Sequence, residues 1–397
     1  MTETEPITSA DPLAAAVADE AFRRCPYPTY QEFVAHPGWR APAGYQVFGG
    51  HEDVLRILRE PAAFGQEGIP YPNFHVLDPP DHTRLRKLVA RPYTQRAVNR
   101  QEEHVAAIVD ELIDGVRSAG RMDLMTDFAL MLPARVAALM FDVPIEDVEQ
   151  WNQWLWDIGR YRGKVWYLAE SPESDKEAAG AAAAAGAAYF KGLIAERRVT
   201  RGNDIVSGLL DAREGDDSLS EEEVLFSLVL ILGGGLHTTA SQIGNMVRAL
   251  LENPAELAKL VADPRLVDGA VDEALRFDPA LQAEYRVAKQ DAVVGDIAVT
   301  AGTPIIVVNA AANRDPAVFP GPDSFDIQRA NAANHTTFGS GIHRCLGAQL
   351  ARMELVIALR QLIARLPGLR LDGEPVQHGY DRWRGLSSLP VAWDVSS

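Results

Sequence analysis

The residues best suited to chemistry gather in one ten-residue stretch, Phe338-Gly339-Ser340-Gly341-Ile342-His343-Arg344-Cys345-Leu346-Gly347. It leads into an apolar stripe of Leu346, Leu350, Met353 and Ile357, spaced as on one helix face. A glycine-rich loop therefore delivers one cysteine to a helix start. There the backbone N–H groups and the positive helix end favour a thiolate, and a bound metal would keep the sulfur deprotonated outright. The glycines let the main chain approach a flat ligand and aim amides at the sulfur. Taken alone, a lone cysteine at a helix start is more often a packing residue than a ligand. The only other cysteine, Cys25, is far away in sequence, so a disulfide framework is not expected and a reducing cytosol is the natural setting.

Three further constellations stand out. His82 and Arg86 fall at i,i+4, which lets an imidazole and a guanidinium converge on one carboxylate. Glu273 and Arg276 fall at i,i+3, which by itself is only a surface ion pair worth a few tenths of a kcal/mol. Gly234-Gly235-Leu236-His237-Thr238-Thr239 sets glycines, an imidazole and hydroxyls side by side within an apolar run.

These residues need elements to hold them. Ser220 and Glu223 form a capping box that opens a long apolar helix through about Leu251, interrupted by Gly233, Gly234 and Gly235. Each mid-helix glycine costs roughly 1 kcal/mol against alanine, so tight helix packing or a local distortion is expected to compensate. Helical periodicity runs from about His82 to Ala364, and strand-like runs are short: Val293–Val299, Pro304–Val308 and the stretch after Leu366. Ala178–Ala188 reads as a surface or lid helix. The architecture is mainly α with small β sheets, an α+β chain of one domain over residues 1–397, with residues 1–20 as a flexible arm.

The formal charge of −17 argues against a general nucleic-acid or membrane-surface partner, since both are polyanionic. The acidic, small-residue start is not a secretion signal, and the best apolar run, Val224–Leu232, is short of a bilayer span. A cytoplasmic protein without a membrane anchor is expected.

The loop at Phe338, Gly341, Cys345 and Gly347 resembles the cytochrome P-450 signature F-x-x-G-x-x-x-C-x-G. Glu273-Ala274-Leu275-Arg276 is similar to that family's E-x-x-R pair, and Ala312-Asn313-Arg314-Asp315-Pro316 with Phe319 to Phe325 to its A-N-R-D-P…F-P-x-P-x-x-F block. Asp78-Pro79-Pro80-Asp81-His82-Thr83-Arg84-Leu85-Arg86 resembles its D-P-P-x-H-x-x-x-R element. The resemblance implies a fold with haem b between a long distal helix and a proximal Cys-loop helix, with Cys345 on the iron and Glu273–Arg276 buried beneath. It implies haem contacts from His82, Arg86, Arg286, His335, His343, Phe338, Gly339 and Gly347. Gly234, Gly235, His237 and Thr238 align with the oxygen-activation motif, in which the family places an acid where this chain has His237. That departure leaves altered proton relay, substrate contact and a mainly structural role open for His237.

The implied activity is a monooxygenase using dioxygen and electrons drawn from NAD(P)H through a separate ferredoxin or flavodoxin and its reductase, acting as a monomer on a small organic molecule in secondary metabolism. The alternatives are atypical haem–thiolate oxidation (coupling, dealkylation, nitration or peroxygenase chemistry) and, remotely, a non-catalytic haem sensor or carrier. Arg84, Arg91, Arg96, Arg100, Arg344 and Arg352 are expected to form a basic docking patch. Substrate contacts are expected from Phe74, Val76, Trp154, Leu236, Gln282, Glu284 and Leu386, within segments including Phe74–Leu77, Trp151–Tyr167 and Leu281–Glu284.

Overall fold

The computed structural model describes residues 20–395 apart from 43, 67–73, 167–171 and 379–382. The expected N-terminal arm lies outside the described residues except Glu20, which opens the short helix Glu20–Arg24, and Tyr167 likewise lies outside them.

Helices carry the molecule, and those that build the site are α1 (Asp81–Val89), α2 (Glu102–Arg117), α3 (Met131–Phe141), α4 (Ile145–Trp166), α5 (Glu173–Val199), α6 (Glu221–Glu252), α7 (Val267–Phe277) and α8 (Ala348–Arg365). The largest sheet has five short strands, β1 (Trp39–Arg40), β2 (Gln46–Phe48), β3 (Phe64–Gly65), β4 (Glu284–Ala288) and β5 (Pro304–Val307), in the order β1-β2-β5-β4-β3. Only the β2–β5 pair is parallel. Near the C-terminus, β6 (Val376–Gln377) and β7 (Leu386–Ser388) pair antiparallel. The expectation of helices with small sheets holds. Val293–Val299, expected as one strand, is instead a hairpin of Ala292–Val294 and Ile297–Val299, turned at Gly295, whose φ of +55° suits a residue without a Cβ.

The central helix α6 starts where the sequence places it. Ser220 Oγ accepts the Glu223 N–H at 3.2 Å, and Glu223 Oε2 accepts the Ser220 N–H at 2.8 Å. Three carboxylates in the first turn, Glu221, Glu222 and Glu223, lie at the positive helix end. The glycines do not interrupt this helix, which runs unbroken to Glu252.

Its two halves serve different cores. Leu225, Leu228, Leu232 and Leu236 pack with Trp151 of α4 and Phe190 and Leu193 of α5. Ile243, Met246, Val247 and Leu250 pack with Val105 and Val109 of α2 and Leu355, Leu359 and Leu362 of α8. Each such side chain, fully buried, contributes roughly 1.5–3 kcal/mol. By length and composition α5 and α6 are long and apolar enough to cross a membrane, with mean hydropathies of 1.3 and 1.6, which corrects the expectation that no run qualifies. In this fold α6 spends much of that apolarity on the two cores. In α5, Ala182 and Gly186 are buried, while Ala181, Ala183, Ala184 and Ala185 are exposed.

Candidate functional site

The loop that carries Cys345 is held by a chain of buried polar contacts that begins at α7. Glu273 and Arg276 are both fully buried and form a two-pronged pair, Nε to Oε2 at 2.7 Å and Nη2 to Oε1 at 2.8 Å. Arg276 also donates to the carbonyls of Asn313 and Pro322 at 2.9 Å and of Ser324 at 3.2 Å. Glu273 further accepts from the Asp326 N–H and from Arg329 Nε. The expected i,i+3 pair is thus a buried clamp rather than a surface bridge. Asn313 extends it: its side chain donates to Thr337 Oγ1 and accepts the Thr336 N–H, while Thr337 Oγ1 donates to the Leu275 carbonyl. The residues just before Phe338 are thereby anchored to α7.

Beyond that anchor the chain turns sharply. Gly339 and Gly341 have φ of +66° and +68°, and a Cβ on Gly341 would stand 2.2 Å from the Leu58 carbonyl oxygen. Only glycine fits there. The Cys345 N–H closes the loop on the Phe338 carbonyl at 2.8 Å. Cys345 lies deep in the molecule yet presents open surface, so it lines an interior space. Helix α8 starts three residues later, capped at Gly347. Burial pushes the thiol pKa up, against the Gly347 N–H and the Arg86 and Arg344 guanidiniums that favour thiolate. The helix-start effect expected from sequence is therefore outweighed, and a bound cation would be needed to keep the sulfur deprotonated.

His82 and His343 meet with ring centroids 4.5 Å apart. Both side chains are buried; His82 meets the Ile342 backbone, His343 Nε2 lies 4.0 Å from Asp78 Oδ1, and the rings are otherwise short of hydrogen-bond partners. Burial first, then the charges of Arg286, His82, His75 and Arg86, pushes His343 down to about 2. Burial and Arg86 lower His82. Two buried imidazoles short of partners, beside two guanidiniums, are a set whose N–H donors anionic carboxylates would satisfy. Arg86 donates to the Arg344 carbonyl and lies over the Phe74 ring at 5.7 Å. His335 is not in this group: its Nδ1 accepts the Thr337 N–H at 3.2 Å, and its charged neighbours are Asp272, Arg344, Arg352 and Arg276.

On α6, Gly234 and Gly235 are exposed between buried Leu232 and Leu236, and a Cβ on either would meet nothing within 4 Å. Tight packing, one of the compensations expected for these two glycines, is absent; they face open space. Thr238, one turn on, donates its hydroxyl to the Gly234 carbonyl at 2.6 Å, leaving its oxygen lone pairs as acceptors. His237 lies on a neighbouring stripe, buried and stacked on Trp156 of α4 with centroids 4.2 Å apart.

The expected substrate residues divide. Phe74, Val76, Leu236 and Leu386 are buried apolar groups. Trp154 packs on Tyr189 and Gly186 of α5. Gln282 donates to the Pro279 carbonyl and leaves its oxygen unpartnered. Glu284 accepts from Arg286 Nη2 at 3.1 Å and Asn309 Nδ2 at 2.9 Å, so its carboxylate already has partners. The expected basic patch is thinner than its six arginines suggest. Arg84 pairs with Asp217 and Glu223, Arg352 with Asp268 and Asp272, and Arg91 donates to the Arg213 carbonyl. Arg96, Arg100 and Arg344 remain exposed, without an ion pair among the described residues.

Sequence reasoning gave no role to Asn313, Thr336, Thr337 or His378. The Ala312-Asn313-Arg314-Asp315-Pro316 block marked Asn313 by motif but not by role, and no local pattern marked the other three.

The family model described as cytochrome P-450 matches residues 71–377. The chain is 37% identical to the cytochrome P-450 monooxygenase PikC of Streptomyces venezuelae, over 99% of this chain and 97% of that one. It is 39% identical to nocardicin C N-oxygenase of Nocardia uniformis subsp. tsuyamanensis, over 87% and 83%. The crystal structure of Mycobacterium smegmatis CYP164A2 in its ligand-free state superposes with a TM-score of 0.90 at 35% identity, covering 96% of this chain and all of that one.

Proposed function

This chain belongs to the cytochrome P-450 family, and from that premise we propose that Cys345 is the iron ligand of its haem b and that the bare face of α6 at Gly234, Gly235 and Thr238 borders the oxygen site. The enzyme is a haem–thiolate monooxygenase, an oxidoreductase that uses dioxygen and electrons from redox partners. The haem supplies activation of dioxygen for insertion into a substrate bond, driven by an electron-rich sulfur ligand.

The chain's own residues supply the rest. The observation that carries the assignment is the cradle itself: an uncovered deep thiol, two bare glycines, and two buried imidazoles short of hydrogen-bond partners beside Arg86 and Arg286. His82, Arg86, Arg286 and His343 would hold the propionates, whose negative charge would offset part of the cost of burying these groups together. Phe338, Gly339 and Gly347 shape the loop, and the Gly347 N–H and Arg86 steady the sulfur's negative charge. Glu273, Arg276 and Asn313 fix the loop's height. Thr238, whose hydroxyl donates to the Gly234 carbonyl, keeps its oxygen lone pairs free to accept a hydrogen bond from a water at the oxygen site. Phe74, Val76, Leu236 and Leu386 line the substrate space, with a small molecule of secondary metabolism as the substrate class.

A separate ferredoxin or flavodoxin docks at Arg96, Arg100 and Arg344, and the chain works in the cytoplasm as a monomeric single domain. Atypical oxidation remains the second reading, favoured by one observation: His237 is not on the open face of α6 with Thr238.

The test is an absorption spectrum of purified protein, reduced with dithionite and exposed to carbon monoxide. A strongly red-shifted Soret band in wild type that is lost in Cys345→Ala and in Cys345→His supports the assignment. Haem absent, or a band indifferent to Cys345, overturns it.

A further inference from the structure

The acid position of the oxygen-activation motif is filled here by a side chain whose contacts point elsewhere. On α6, Gly233 and His237 are one turn apart and share a stripe distinct from that of Gly234 and Thr238. Gly233 lies against α4, where a Cβ would stand 3.2 Å from Leu155 Cδ2. His237 stacks on the next α4 residue, Trp156, at 4.2 Å and an interplanar angle of 30°. The glycine lets α4 and α6 approach, and the imidazole fills the turn above. The far edge of the same indole meets His378, beside β6, at 6.0 Å and 77°, and His378 Nε2 lies 3.5 Å from Ser241 Oγ of α6. Trp156 is therefore gripped between the central helix and the C-terminal hairpin.

We propose that His237 is a positioning residue, which sets α4 against α6 through Trp156 and so fixes one wall of the substrate cavity, and that it does not deliver protons. The inference rests on the haem–thiolate reading only for where the cavity lies; the seam itself is observed in the protein. His237 Nε2 is buried and has no hydrogen-bond partner. An unpartnered buried nitrogen weakens the closed seam, because parting the helices would let water reach it. The ring's face, not its nitrogen, is what the seam uses. Phenylalanine should therefore replace it, whereas aspartate or alanine should not.

The experiment compares His237→Phe, His237→Ala, His237→Asp and Trp156→Leu with wild type as holoenzymes. Hydrogen–deuterium exchange over residues 145–159 reads the seam without reference to haem. Stopped-flow binding of 4-phenylimidazole, read at the Soret band, reports access to the iron. A stacked aromatic pair corresponds to roughly two- to tenfold in an opening equilibrium. Alanine, aspartate and Trp156→Leu variants should exchange two- to tenfold faster over this segment and bind the azole faster, with His237→Phe restored to wild-type behaviour in both. Equal behaviour of Phe and Ala variants overturns the proposal, as does exchange unchanged in every variant. A protein without haem removes the azole readout and sinks the functional reading, while the exchange data still decide the seam.

Discussion

Four glycines of α6 make opposite predictions from one helix. A Cβ on Gly234 or Gly235 would meet no heavy atom within 4 Å, so replacing either with alanine should gain the helix-propensity difference, about 1 kcal/mol. On Gly233 the new carbon would stand 3.2 Å from the mobile end of Leu155, and a small shift of that side chain should leave the balance near zero. On Gly244 it would stand 2.5 Å from Met125 Sδ inside the core, where overpacking costs about 1–3 kcal/mol and exceeds the propensity gain. Urea unfolding of haem-extracted protein, followed by far-ultraviolet circular dichroism, should therefore rank Gly234→Ala and Gly235→Ala above wild type, Gly233→Ala beside it and Gly244→Ala below. In holoenzyme the first two should lose their advantage, because the added methyls enter the space assigned to haem and oxygen, and carbon monoxide should bind more slowly. Loss of more than about 1 kcal/mol on substituting Gly234 or Gly235 in the extracted protein would refute the reasoning, since it would mean that packing, not an open cavity, holds these glycines.

Arg276→Lys keeps the charge but replaces five donated bonds with at most three. Two or more buried acceptors lose a partner, at about 1–3 kcal/mol each, which the urea midpoint of the holoenzyme will show; a loss under 1 kcal/mol would return the pair to the surface-bridge reading. Glu354 on α8 is buried with Oε2 unpartnered, and burial raises its pKa to about 8. The folded state prefers the neutral acid, so the residue's destabilising effect grows as pH rises from about 4.5 to about 8. Glu354→Gln should therefore match wild type in Tm near pH 4.5 and exceed it increasingly up to pH 8, and a pH-independent difference would contradict this. Thr238→Ala should divert electrons from product to peroxide, measured as product formed per electron consumed; an unchanged ratio removes Thr238 from proton handling.

What the sequence made legible was local. Capping residues announced α6, the glycine loop announced Cys345, and i,i+4 spacing paired His82 with Arg86, because each depends on residues a turn or less apart. Depth was not legible. Glu273–Arg276 spacing is the same on a surface helix as in this buried clamp, and only the Asn313, Pro322 and Ser324 carbonyls, 37 to 48 residues away, distinguish the two. Motif alignment grouped His335 with the haem contacts, and only the fold shows that its Nδ1 accepts the Thr337 N–H, apart from the His82–His343 pair. For His237 the information was present but unread: Gly233 sits one turn before it, on the stripe that meets α4. The partners Tyr189 of Trp154 and Asn309 of Glu284 were not legible either, because they belong to tertiary contacts that no short window contains.

The division of α6 between two apolar clusters bears on how this scaffold tolerates change. The cluster around Ile243, Met246 and Leu359 shares its residues with α7 and α8, which anchor the cysteine loop. The cluster around Leu228, Trp151 and Phe190 draws mainly on α3, α4 and α5, and reaches Leu85 and Val89 of α1 and Leu346 of the cysteine loop. Substitutions separated by more than about 7–10 Å add nearly independently. Substitutions in the α4 and α5 part of the second cluster, away from Leu85, Val89 and Leu346, should therefore reshape one side of α6 with little effect on the packing of α7 and α8 on the other.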